Sequence, residues 1–225
     1  MEHQVSPWLL LGYSGLVIIV LAVTAILSTR RLARIPTSGR QNMVEFVVES
    51  LNNFVVGIIG PKGEKYTSFI GTLFIYILAM NLLGLVPGLK APTSGLSITI
   101  SLALISFIFY NVAGIREVGL VPYLKHLAGE PLWLAPLMLP IHIISELARP
   151  LSLAVRLFGN IFGEETVILI LAGLTYVIIP YFVAIPTQFP MMLFDIFIGF
   201  VQALIFSTLS AIYISIAIAG HEEYA

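Results

Sequence analysis

Stretches of about twenty apolar residues recur along this chain, and a helix of that length crosses the ~30 Å hydrocarbon core of a bilayer. The first covers residues 8–28. A basic cluster, Arg30, Arg31, Arg34 and Arg40, follows it instead of preceding it, which argues against a cleaved signal peptide. By the positive-inside rule the cluster belongs in the cytoplasm and the N-terminus outside.

Of 225 residues, 58% are hydrophobic and 10% charged, well below the roughly 25% charged of soluble domains. Mean hydropathy is +1.00. The expected class is an all-α integral membrane protein forming a single membrane domain over residues 1–225. A net charge of −1 with no basic face excludes nucleic acid as a partner. The absence of cysteine excludes disulfides, thiol nucleophiles, iron–sulfur clusters and thiolate zinc sites.

Residues 41–60 place Gln41, Glu45, Glu49, Asn52 and Asn53 at helical spacing among apolar residues, the pattern of an amphipathic helix lying on the membrane. After the turn at Gly60, Pro61, Lys62 and Gly63, spans are expected over 67–86 and 96–114, a hairpin with Lys90 outside. A second cytoplasmic segment carries Arg116, Lys125 and His126. Eight of the eleven basic residues then lie on the cytoplasmic side, and only Arg149 and Arg156 remain inside apolar sequence.

The stretch 133–179 would measure about 70 Å as one helix, more than twice the hydrocarbon core. Pro136, Pro140 and Pro150 leave two readings open: one long tilted helix over 132–180, kinked near Pro150, or two short spans. Pro180, Pro186 and Pro190 mark a turn, and the last helix belongs to 182–219, followed by a polar cytoplasmic tail.

Folding these helices back at Pro180 sets Glu165, fifteen residues before it, opposite Asp195, fifteen after it. Arg156 and Gln202 meet similarly, deeper in the membrane. Ionisable side chains at that depth are expensive and mark function by default, although an arginine neutralised by Glu164 or Glu165 is the plainer alternative. His142, Glu146 and Arg149 share a helical face, which suits either a cytoplasmic entrance or an interfacial ion pair. The order is not HExxH and no third ligand is apparent, so no metal is expected. Gly159 and Gly163, beside Asn160, have the spacing that lets a neighbouring helix approach closely. His3, His126 and His221 lie in terminal or loop sequence and carry no assignment.

The run ARPLSLAVRLFGNIFGEE, residues 148–165, together with VQALIFSTLSAIY, residues 201–213, closely resembles the subunit a family of the F-type ATP synthase membrane sector. The RLFGN core and the later QAxIF segment carry the resemblance, and the order of spans agrees over the whole chain. It implies a stator subunit whose two long tilted helices form a hairpin against a ring of c subunits. Two offset half-channels then conduct protons or Na⁺ to and from the ring carboxylates. It further implies b-type peripheral-stalk partners and the lipid bilayer, with no cofactor, no bound nucleotide and no enzymatic activity of the chain alone.

On the same resemblance Arg156 is the essential stator arginine and Gln202 its partner. Asn160, Glu164, Glu165 and Asp195 fall in the outer half-channel, and His142, Glu146 and Arg149 in the inner one. Two positions depart from the family pattern: histidine stands at the place of Asp195 in some relatives, and Glu164 replaces a small residue. Which of Glu164, Glu165 and Asp195 is the main relay stays open. A bacterial inner membrane is the expected location, with the plastid thylakoid as the alternative. An independent transporter and a purely structural scaffold are the competing functional classes.

Overall fold

The computed structural model of the chain describes residues 6–30, 39–86, 89–123, 135–178 and 188–219. It contains α1 (Pro7–Thr29), α2 (Gly39–Ile59), α3 (Thr67–Leu83), α4 (Leu96–Val118), α5 (Ala135–Ile178) and α6 (Gln188–Ala219). Short 3-10 segments, Pro61–Tyr66 and Pro92–Ser94, precede α3 and α4. There is no strand among the described residues, and six helical stretches, one of them α3 together with the 3-10 segment before it, are long and apolar enough to cross a membrane. The protein is an all-α integral membrane protein.

Pro7 opens α1 at the position where its missing N–H costs nothing. Leu10 and Val17 turn inward from this helix, while Ile18, Ile19 and Leu27 stay exposed, as side chains that face lipid do. The second half of α2 buries Val55 against Tyr66, Ile70 and Ile214. The chain leaves α2 through Gly60 at φ +85°, a conformation that a Cβ disfavours. Lys65 in the following turn then pairs with Glu117 at 2.8 Å, tying this end of α3 to the end of α4.

Helix α4 runs to Val118, beyond the expected end at 114, because nothing breaks it before Gly119, at φ +90°. Gly114 continues the helix and accepts the close approach of Ala217. Expected boundaries near 87–88, 132–134 and 179–187, and the C-terminal tail, lie outside the described residues.

The core is built around α6, which packs against α2, α3 and α4, while α5 lies along α4. Ala203, Phe206, Ala211 and Ile214 of α6 are fully enclosed; Leu153, Ala154 and Leu157 of α5 pack with Ala203 and Phe206, while Ala211 and Ile214 pack with Val55, Ile70 and Tyr110. Inside it, Ser106 donates to Ser210 at 2.8 Å, so two hydroxyls satisfy each other away from water.

Residues 135–178 form one continuous helix of 44 residues, about 66 Å long, with Pro140 and Pro150 inside it. No break divides it into two short spans. Each proline removes one backbone hydrogen bond, a loss that neighbouring helices and polar side chains offset in membrane helices.

Candidate functional site

Helices α5 and α6 enclose a cavity of about 440 Å³. Its α5 wall is Gly159, Asn160, Gly163, Glu164 and Val167, and its α6 wall includes Asp195, Ile198 and Gln202. A Cβ placed on Gly159 or Gly163 would meet nothing within 4 Å. Among the described residues no helix of this chain approaches the two glycines closely; they leave room for the cavity, because no side chain fills that wall.

Across this cavity Asn160 Nδ2 donates to Gln202 Oε1 at 2.6 Å. Gln202 is 1% exposed and Asp195 6% exposed, so an amide and a carboxyl group are almost fully covered by the protein at the cavity wall. Glu164 of α5 and Asp195 of α6 line the same cavity. The side chain of Glu165, the expected partner of Asp195, lies outside the described residues.

Arg156 is half-buried on α5, one turn before Asn160. Among the described residues it makes no hydrogen bond or ion pair. Gln202, expected beside it, is bonded to Asn160 instead. The sequence had also missed Asn81 of α3, which donates to the Gly199 carbonyl at 3.0 Å and accepts from Thr93 at 2.8 Å. Its one signal is an amide within an apolar run.

A second cavity, of about 130 Å³, lies nearer the start of α5, lined by Tyr110, Tyr123, His142, Glu146 and Arg149. Glu146 accepts from the Tyr110 hydroxyl at 2.9 Å and pairs with Arg149, whose guanidinium sits 5.2 Å from the centre of the Tyr213 ring. The three residues expected on one face are thus brought together, with the ion pair forming part of the cavity wall. Tyr123 donates to Asn111 at 2.7 Å. Burial, reinforced by the charge of Glu146 and opposed by Arg149, holds the Tyr123 phenol above its ordinary range. The tyrosines went unnoticed in the sequence, although Tyr110 and Tyr213 are polar-tipped residues in apolar runs. Among the described residues no group of three acidic or histidine side chains could hold a metal.

The family model described as ATP synthase A chain matches residues 11–215. A protein of Protochlamydia amoebophila (strain UWE25) named ATP synthase subunit a is 42% identical, covering 96% of this chain and 82% of its own. ATP synthase subunit a of Solidesulfovibrio magneticus (strain ATCC 700980 / DSM 13731 / RS-1) is 45% identical, over 90% of this chain and 81% of its own. ATP synthase subunit a 1 of Syntrophotalea carbinolica (strain DSM 2380 / NBRC 103641 / GraBd1) is 43% identical over 90% and 82%. A match that runs through both cavities, with bacterial relatives at this level of identity, means that the chain belongs to the ATP synthase A chain family.

Proposed function

We propose that the chain is the stator a subunit of an F-type ATP synthase, providing two offset half-channels that carry protons, or Na⁺, to and from the carboxylates of a c-subunit ring. Ion flow is thereby coupled to rotation and to ATP synthesis on other subunits, and this chain binds no nucleotide. One arrangement supports the reading above all. Two cavities, each with a carboxyl group in its wall and with no lining residue in common, lie on α5, and Arg156 stands between them in the sequence of that helix.

In this reading the cavity with Asn160, Glu164 and Asp195 belongs to the outer half-channel, together with Glu165. The cavity with His142, Glu146 and Arg149 belongs to the inner one. An ion arriving from outside neutralises a ring carboxylate, which can then enter lipid without the penalty of a bare charge. After a circuit of the ring the carboxyl group meets Arg156, and the neighbouring positive charge favours ion release into the inner half-channel. Gln202, bonded to Asn160 one turn from Arg156, completes the polar layer around the arginine from the facing helix. The guanidinium also blocks direct leakage between the two routes.

A helix of about 66 Å fits a bilayer only when strongly tilted, which turns the α5 and α6 hairpin toward the ring. The N-terminus lies outside and the C-terminus in the cytoplasm of a bacterial inner membrane. Helix α2 rests on the cytoplasmic surface near b-type stalk subunits. Whether H⁺ or Na⁺ is carried is set by the neighbours of the ring carboxylate.

The test is ATP-driven ion pumping by vesicles containing the assembled complex with Arg156→Ala. Loss of pumping with normal assembly is expected; pumping at the parental rate refutes the stator role.

A further inference from the structure

We propose that Tyr110, Glu146, Arg149 and Tyr213 form a brace across three helices that holds α5 at Pro150 and so sets the position of Arg156. The four are positioning residues. The proposal rests on the stator reading, because the group they place is the arginine on which that reading turns.

Helix α5 is weak at Pro150. Proline has no backbone N–H, so the carbonyl of Glu146, one turn earlier, receives no helical hydrogen bond from it, and sharp helix kinks gather at such positions. Arg156 lies six residues further on, about 9 Å by helical rise. A bend of about 20° at the proline would move it by about 3 Å. Misplacing a reacting group by about 1 Å can cost about a hundredfold in rate.

The side chains one turn before the proline are tied to two neighbouring helices. Tyr110 of α4 donates to Glu146 Oε2 at 2.9 Å, and Glu146 Oε1 pairs with Arg149. The Arg149 guanidinium lies 5.2 Å from the centre of the Tyr213 ring of α6, and that ring is 5.7 Å from the ring of Tyr110. The contacts therefore close into a circuit. An ion pair between residues three apart on one helix fastens that helix to nothing else; the two tyrosines turn it into a link between helices. Beyond the proline, Leu153, Ala154 and Leu157 are buried in the core, so α5 is gripped on both sides of its weak point.

The circuit also sorts charge. Glu146 neutralises Arg149, whereas Arg156 makes no ion pair among the described residues. Of the two arginines on α5, one is held within the brace and the other keeps its charge for a partner outside the chain.

The experiment uses the assembled complex in vesicles and reads two quantities, protons pumped per ATP hydrolysed and the amount of complex assembled. Tyr213→Leu removes the aromatic face and should lower pumping per ATP at least about tenfold. Tyr213→Phe keeps a face for the guanidinium and should retain more than about half. Tyr110→Phe removes one oxygen atom and should lower the ratio at least about threefold. A merely structural role changes the amount of complex and leaves pumping per ATP unaltered; that result overturns the brace, as does a Tyr213→Phe as poor as Tyr213→Leu. Should Tyr213→Leu fail to assemble, Tyr110→Phe decides, and pumping at the parental ratio overturns the brace. Arg156→Ala run alongside separates the two ideas: if it is inactive while Tyr213→Leu and Tyr110→Phe pump normally, only the brace is wrong, whereas a pumping Arg156→Ala removes the stator reading itself.

Discussion

Asn160 and Gln202 meet across the α5 and α6 interface at 2.6 Å, one helical turn from Arg156. This contact fixes how the two helices stand relative to each other, because it joins two amides that no other described residue satisfies in the same way. Replacing either residue by alanine is expected to lower pumping. Their coupling in a double-mutant cycle on thermal stability should be about 0.6 kcal/mol and at most about 1.7, the range of interhelical hydrogen bonds in membranes.

Arg156→Lys should behave like a loss-of-function variant in the pumping assay. A guanidinium stays charged when half-buried, whereas an ammonium can release its proton and presents no planar fork of donors. Pumping above about a tenth of the parental rate would show that charge alone suffices there.

Arg149→Ala leaves the Glu146 carboxylate with the Tyr110 hydroxyl as its sole described hydrogen-bond donor. Both side chains of the ion pair are mostly buried, so the expected loss is about 1–2 kcal/mol, between the values for surface and interior pairs. Adding Glu146→Gln should restore part of it, since the stranded charge is then gone. Melting of the detergent-solubilised complex measures both.

Gly199→Ala would put a Cβ 3.1 Å from the Asn81 Cβ and strain the hydrogen bond from Asn81 to the Gly199 carbonyl. Overpacking of this kind costs about 1–3 kcal/mol. A lowered melting temperature with the complex still assembled is the expected result, and Gly159→Ala, which meets open space, should melt close to the parent.

Tyr123 gives a pH prediction. Its folded pKa is raised, so the neutral phenol is favoured by the fold. Its contribution to stability is therefore complete below pH 10, the ordinary tyrosine value, and fades as pH climbs through the higher folded value. In ultraviolet titrations of the folded protein, Tyr123→Phe should remove one of the tyrosines that ionise above pH 10 and leave the number ionising near pH 10 unchanged.

Much of the hairpin was legible because counting from Pro180 is a local operation on two long helices. Counting set Arg156 opposite Gln202 and Glu165 opposite Asp195; Gln202 is bonded to Asn160, one turn on from Arg156, and Glu164, the neighbour of Glu165, shares a cavity wall with Asp195. Adjacent residues on a helix point about 100° apart, however, and the count cannot tell Glu164 from Glu165. The glycine pair Gly159 and Gly163 has one spacing and two outcomes, a tight contact or an open wall, and only the neighbouring helix decides between them. Tyr110 with Glu146, 36 residues apart, and Asn81 with Gly199, 118 apart, were out of reach, since no periodicity records which helices pack together.

The outward edge of α5 and α6 presents Leu151, Val155, Phe162 and Phe197, all at least half exposed. A body sliding along such an edge breaks no hydrogen bonds and sheds no water as it advances. In the proposed stator, resistance to motion is then concentrated at one ionic step, and the remainder of the track acts as a greased bearing.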